Sequence, residues 1–495
     1  MDRDETPPPA APRAPLEIGV TNFGPISRGK FRVSPMTIFV GPNNSGKTYA
    51  ALLAHSVLSC LSARASPWSL ASLIGGRLKS PAFRRLVSEM GSLARPASSG
   101  RKRVPPALSR QVCGLVGAHF TRDLVSTMEG NFGIGLASLV RAGARSSQIR
   151  ISGGIAASLT LRRNGSLAGE LELPEARYSI AGGTGDIAVY VRKSDGASRD
   201  IYYHDDTAVG RTERTLDMLG EPESLGLGAV VALFMKIEQL FLSRPTSSYY
   251  LPAGRSGILS TYDMLLSNIV SSTKYGEGER NAKITGTMSD FVKFFYNVPA
   301  QRPPGPKNGK GAIGEMFGGR LVLSRPRFAP TQITYRFDGM EIPIRRASSG
   351  IVETAPFQLF QSGTPRADVL VFEEPEAHLH PENQARLAKH ITRLVNDGTH
   401  VILVTHGIYF LEQLSMLVRM SKITPAERKK LGFEGSDFIN NDDVDPYMFK
   451  PAPKGGYTIH KSNHSAEEGI WQDEFIGVTE SMYAKDAKIT QFLDS

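Results

Sequence analysis

An eight-residue run, Gly41-Pro42-Asn43-Asn44-Ser45-Gly46-Lys47-Thr48, fits the pattern G-x-x-x-x-G-K-[ST] at every position. It constrains the fold more than any other stretch, because the pattern carries its chemistry only between a strand and a helix. Met36-Thr37-Ile38-Phe39-Val40 reads as a buried strand ahead of it, and Tyr49, Leu52, Leu53 and Val57 recur at helical spacing behind it. In that setting the glycines let backbone N–H groups curl around phosphate, and the helix N-terminus adds positive dipole. Lys47 then neutralises β- and γ-phosphate charge, and the Thr48 hydroxyl reaches Mg²⁺. A chance glycine-rich turn would leave both flanking elements and the charge of Lys47 unexplained. A nucleoside triphosphate site is the expectation.

Val369-Leu370-Val371-Phe372, far downstream, is wholly apolar and delivers Glu373 and Glu374 at its C-terminal end. Open α/β sheets bind ligands at that end of their strands. Charges placed there are costly unless paired or metal-bound, so Glu373 is the candidate Mg²⁺ ligand. Glu374 is the candidate that orients or deprotonates the attacking water. Pro381 suits the first turn of a helix whose inner face is Leu387, Ile391, Leu394 and Val395, ending at Gly398. Another buried strand, Val401 to Thr405, then delivers His406, placed to sense a γ-phosphate. Upstream, Ser348-Ser349-Gly350 opens an apolar helix and offers a second anion-binding surface, although plain N-capping by serine is the simpler reading. His378, His380 and His390 make a poor zinc set, with no open tetrahedral arrangement evident. Asp443-x-Asp445 has the outline of a nuclease acidic pair but reads better as a loop before a strand around Tyr447, Met448 and Phe449.

The rest of the chain frames these motifs. Residues 1–15 are a proline- and alanine-rich tail expected to be disordered. Leu16 to Ile26 alternates apolar with small or polar residues, and a turn at Gly29 predicts a hairpin leading into the phosphate-loop strand. Residues 50–142 read as helices broken by prolines, with basic clusters at Arg84-Arg85 and Arg101-Lys102-Arg103 that fit a charged loop better than a DNA contact. Period-two alternation over 149–204 predicts hairpins at Asn164-Gly165 and Asp195-Gly196, and a third follows at Asp338-Gly339. Between them come a helix over Leu225–Leu242, a short strand from Ser248, and Arg255 on a polar turn, positioned to face phosphate. Residues 302–312 read as a mobile basic loop.

Composition narrows the class. The 495 residues carry 58 Lys+Arg against 48 Asp+Glu, an excess of ten that fits nucleic acid and a solvated basic surface equally well. Cys60 and Cys113 imply neither a disulfide framework nor a zinc site, so a reducing cytoplasm is expected. No apolar run is long enough to span a bilayer, which argues against a channel or permease.

In order along the chain, GPNNSGKT, SSG-x-x-E, LVFEEPEAHLHP and VTH resemble the ATP-binding-cassette ATPases of the soluble branch that includes the OLD, RecF and SMC proteins. The likeness is greatest to the OLD-like ATPases of bacterial anti-phage systems. It implies an α/β P-loop NTPase head with a β-rich layer and an inserted helical and β-hairpin lobe. The head would comprise residues 16–60 and 346–495, with the lobe at 61–345. On that likeness Gly41–Thr48 is Walker A, Ser348–Gly350 the signature, Val369–Glu374 Walker B, Ala377–Pro381 the D-loop and His406 the switch histidine. ATP and Mg²⁺ are the implied ligands. The signature of one subunit completes the site of another, which implies a homodimer or higher homo-oligomer. Glu373 stands where most relatives have Asp, which favours slow turnover or ATP holding. Arg255 lies in the region of the glutamine that usually joins the two lobes.

No long heptad region separates Walker A from the signature, which argues against SMC-type arms, and no Toprim domain follows His406. The implied function is therefore a cytoplasmic, oligomeric ATPase switch in anti-phage defence. It would respond to DNA or a phage protein and control a separate effector such as a Toprim or HNH nuclease. A RecF-like DNA-binding ATPase of repair or replication is the alternative.

Overall fold

The structure, a computed structural model, describes residues 15–62, 77, 80–95, 102–153, 155–173, 176–182, 187–193, 221–238, 247–262, 285–297, 311–324, 332–363, 367–471, 483–490 and 493. The chain opens with strands β1 (Glu17–Phe23), β2 (Ile26–Arg32) and β3 (Met36–Val40), followed by helix α1 (Lys47–Ser62). Next come α2 (Pro81–Ala94), β4 (Lys102–Arg103), α3 (Pro106–Phe132) and strands β5 (Ser146–Ser152), β6 (Ala156–Arg162), β7 (Leu167–Glu172), β8 (Ala176–Gly182) and β9 (Ile187–Lys193). Then follow α4 (Glu221–Ile237), β10 (Ser248–Leu251), α5 (Arg255–Ser260), α6 (Gly286–Asn297), α7 (Ala312–Phe317) and strands β11 (Arg320–Ser324), β12 (Gln332–Phe337) and β13 (Met340–Pro343). The last part holds α8 (Ser349–Gln361), β14 (Val369–Glu373), α9 (Pro381–Asn396), β15 (His400–Thr405), α10 (Ile408–Arg419), α11 (Pro425–Lys430), β16 (Val444–Pro451) and β17 (Tyr457–Lys461).

An 11-stranded sheet in the order β10-β14-β15-β3-β16-β17-β2-β1-β5-β6-β7 organises the molecule. Its first five strands are parallel, so the carboxyl ends of β3, β14 and β15 meet at one edge. Side chains alternate across these strands and both faces are covered, which is why their sequences are continuously apolar. Phe39, Val371 and Val404 enter one core with α1, α3 and α4; Ile38, Phe372 and Leu403 enter the other with α8, α9 and α10. This is an α/β fold, a parallel sheet half flanked by helices with an antiparallel β-layer beside it.

Several expectations need correction. The first hairpin turns at Gly24-Pro25, and Gly29 sits inside β2. Gly29 is required there by close approach, since a Cβ would lie 2.4 Å from Ile459 Cβ of β17. Strands β5, β6 and β7 contain the Asn164-Gly165 hairpin, and they continue the main sheet through the β1–β5 pairing. The Asp338-Gly339 hairpin forms as β12–β13. β9 pairs backward with β8, and the Asp195-Gly196 turn lies outside the described residues, as do residues 1–14, Arg101 and most of 302–312. Asp445 belongs to the strand β16, buried, where Arg32 Nε meets it at 2.9 Å and Lys461 and Ser34 also bind it. His390 is likewise structural, with Nε2 3.1 Å from Glu315 Oε2.

Candidate functional site

The phosphate-loop pattern bridges β3 and α1 as expected. All five residues of β3 are buried, which fixes where the loop begins. Gly41 adopts φ +144°, and a Cβ there would lie 2.8 Å from the Phe449 carbonyl oxygen; Gly46 adopts φ +100° against Ile26. Asn44 takes a left-handed φ of +60°, a conformation Asn tolerates better than most residues. Pro42, Asn43, Asn44 and Thr48 are exposed along the loop, and Ser45, Gly46 and Lys47 are buried within it. The Lys47 ammonium donates to the carbonyls of Gly41 (2.8 Å) and Pro42 (2.7 Å), with Ser45 Oγ at 3.4 Å. Burial lowers its pKa to about 8, against the pull of Glu374, Glu373 and Glu376. A buried cation held by neutral carbonyls and facing three carboxylates suits an anion bridged by a metal ion.

Glu373 and Glu374 emerge where β14 ends, one strand from β15 and two from β3. Glu373 is buried. Its Oε2 accepts from Ala253 N at 3.2 Å, while Oε1, beside the Tyr250 hydroxyl, has no well-formed hydrogen bond among the described residues. An orphaned, buried carboxylate oxygen is stable only with a cation or proton near it, so the donor set fits Mg²⁺. Glu374 is half-exposed and left-handed at φ +42°. Its N–H donates to the Val404 carbonyl at 2.8 Å, and its Oε1 lies 2.8 Å from His406 Nε2. That histidine hydrogen bond holds the carboxyl below the usual carboxylate range, outweighing partial desolvation.

Glu376 was not singled out in the sequence, yet it ties the two strand ends together. Its Oε1 accepts from Thr405 Oγ1 (2.6 Å), Gly407 N (2.9 Å) and His406 N (3.2 Å), fixing the backbone that presents His406. A third carboxylate so close to a buried strand end was the available signal.

Ser348 occupies the N-cap position of α8 but makes no side-chain capping hydrogen bond, so the simpler capping reading fails. Ser348 and Ser349 are exposed, whereas Gly350 is buried; a Cβ on it would lie 3.1 Å from Phe317 and 3.3 Å from the His378 carbonyl oxygen. The structure thus gathers Lys47, Glu373, Glu374 and His406 at one edge and leaves the Ser348–Gly350 turn packed on Phe317 and the loop after β14.

Arg255 departs from expectation. It is fully buried, and its donors go to the carbonyls of Glu373, Glu374, Pro252 and Glu353, so it does not face phosphate. A cavity of about 930 Å³ lies on the sheet face lined by Glu17, Arg28, Lys30 and Arg150, with none of the motif residues in its wall.

Residues 258–411 match a family model described as an AAA ATPase domain. That stretch contains Ser348–Gly350, Glu373, Glu374 and His406, and begins downstream of the phosphate loop. No curated protein matches the chain. Among solved structures, the chain is similar to an Smc head bound to the C-winged helix domain of ScpA, with 12% identity and TM-score 0.38 over 90% of this chain and 98% of that one. It is also similar to an Smc head domain with an extended coiled coil, bound to the C-terminal domain of ScpA derived from Pyrococcus furiosus. There the identity is 10% and the TM-score 0.38, covering 95% and 99%. An SMC head domain from Thermotoga maritima gives 12% and 0.33, covering 91% and 99%.

Proposed function

We propose that this P-loop ATPase binds and hydrolyses ATP at a site completed by the Ser348–Gly350 turn of a second copy, and that the closed assembly acts as a switch for a separate effector. The observation that carries the reading is the convergence of Lys47, the orphaned Glu373 oxygen and the Glu374–His406 pair at one sheet edge. In this reading the loop from Gly41 to Thr48 holds the triphosphate, with Lys47 leaving its carbonyl partners for the phosphate oxygens. Thr48 and Glu373 would hold Mg²⁺. The ion, when bound, supplies charge neutralisation for the developing negative charge on the phosphates. Glu374 accepts a proton from the attacking water, and His406 fixes the carboxylate in place and keeps it ionised.

The exposed, uncapped Ser348 at the start of a 13-residue helix supports the intermolecular part. A helix N-terminus with exposed hydroxyls has a favourable potential for a γ-phosphate presented by another subunit. Resemblance to OLD-like ATPases supports the finer assignment to cytoplasmic anti-phage defence, with a nuclease such as a Toprim or HNH protein as the controlled partner and DNA or a phage protein as trigger. Among the described residues, no helix is long and apolar enough to cross a membrane.

The test is particle mass with and without Mg-ATP for the wild type and Glu374→Gln. The reading predicts a nucleotide-dependent dimer or larger oligomer that persists longest in the glutamine variant. A mass unchanged by nucleotide in both proteins would refute it.

A further inference from the structure

Arg255 has no exposed surface, and a guanidinium with no access to water persists only where its donors are engaged. Nη1 donates to the Glu373 carbonyl at 2.6 Å and the Pro252 carbonyl at 2.7 Å; Nη2 donates to the Glu374 carbonyl at 3.1 Å. Nε donates to the Glu353 carbonyl at 3.2 Å and lies 2.9 Å from its carboxylate Oε2, itself buried. The other Glu353 oxygen accepts from Ser256 N at 3.0 Å. The guanidinium also lies over the Phe372 ring, 4.8 Å from its centroid.

These contacts join the Glu374 edge of this chain's own site to the helix that, in the reading above, completes the site of a second copy. Glu353 stands in α8, one turn after Ser348–Gly350. The two carbonyls that Arg255 holds flank the Glu374 Cα, whose N–H is held from the other side by Val404 of β15. Glu374 is left-handed at φ +42°, a conformation that costs energy for a residue with a side chain and persists when its surroundings impose it. Arg255 therefore sets the direction in which the Glu374 side chain leaves the backbone. Glu353 sets Arg255.

We propose that the Arg255–Glu353 pair is a positioning link through which α8, the helix that begins at Ser348–Gly350, governs the placement of the Glu374 carboxylate. The proposal rests on the ATPase reading above. Neither residue touches substrate; both act through the Glu374 backbone. Occupancy of the α8 N-terminus would then be read at Glu374 through one buried ion pair.

Arg255→Lys tests it directly, because a single ammonium cannot reproduce the planar fork that reaches Glu373, Glu374 and Glu353 together. Glu353→Gln keeps the shape and removes the charge, and carries the test if the lysine variant fails to fold. In full-length protein, each change should lower kcat for ATP on the order of 10- to 100-fold. KM for ATP should stay within about twofold, as expected when uniform binding is untouched. The double variant should be no slower than Arg255→Lys, since the two residues act as one unit. Wild-type kcat in both single variants, losses that multiply in the double, or a fall in activity that only follows a fall in melting temperature would overturn the link. Glu374→Gln in the same assay separates the two ideas. If that variant is as fast as the wild type, the site reading itself fails; if it is slow while Arg255→Lys and Glu353→Gln are fast, only the link fails.

Discussion

His406 Nε2 lies 2.8 Å from Glu374 Oε1, and the strands that deliver the two residues, β15 and β14, are parallel hydrogen-bonded neighbours. The contact joins a side chain that can carry a proton to one that can receive it, at the edge where the phosphate loop also begins. It keeps the carboxylate ionised below its ordinary range.

Glu374→Gln should retain nucleotide binding within about threefold while lowering hydrolysis by about 10²–10⁴, the usual contribution of a general base. Phosphate release and titration with a fluorescent ATP analogue measure the two quantities. His406→Ala removes the main interaction that depresses the Glu374 pKa, so the carboxyl should return toward its ordinary value. On acidification, the rate of that variant should begin to fall at a higher pH than the wild-type rate.

Lys47 predicts an alkaline dependence. The free protein holds its ammonium charged below about pH 8 and loses the proton above it. Bound phosphate favours the charged form, so binding above about pH 8 must take up a proton. Affinity should weaken by up to about tenfold per pH unit there, as for any single linked proton. Calorimetry in buffers of different ionisation enthalpy reports the uptake.

Gly41→Ala should abolish measurable nucleotide binding. The position has φ +144° and lies against the Phe449 backbone, so an added methyl must displace the loop from β16. Local strain of about 1–3 kcal/mol is expected from the backbone alone, and thermal melting with and without ATP reads both effects.

Asp445→Asn addresses the sheet beneath the site. Burial alone would raise the Asp445 pKa, but Lys461, Ser34 and Arg32 hold it below its ordinary value of 3.8. The variant should lose about 1–3 kcal/mol, the cost of breaking a charged hydrogen bond, with the lower end favoured because Arg32 and Lys461 are partly exposed. A depressed carboxyl stabilises the fold above its unfolded pKa and ceases to do so as pH falls through the folded value. The wild-type advantage in urea melts should therefore shrink at acid pH.

The centre of the fold was legible because β3, β14 and β15 are covered on both faces, which demands continuous apolar runs and leaves Lys47, Glu373 and His406 conspicuous at their ends. Gly29 was misread because a glycine marks a turn and a close packing contact equally well, and only the position of Ile459 decides between them. The continuation of the sheet through β5 was hidden because its partner, β1, is distant in sequence. Arg255 was misassigned for a related reason: a cation on a polar turn looks available until the carbonyls of Glu373 and Glu374 are seen to occupy it. Serine at an N-cap position implied capping, yet the Ser348 side chain makes no cap bond.

Mixing two inactive variants tests the composite site most directly. Lys47→Ala disables the phosphate loop of one chain, and Ser348→Arg blocks the helix start of another. Each alone should be inactive. An equimolar mixture should recover about a quarter of the wild-type ATPase rate, the share of intact sites when two-fold dimers pair at random. A mixture as inactive as its components, although both variants are folded and mixed oligomers form, would contradict a site shared between two copies.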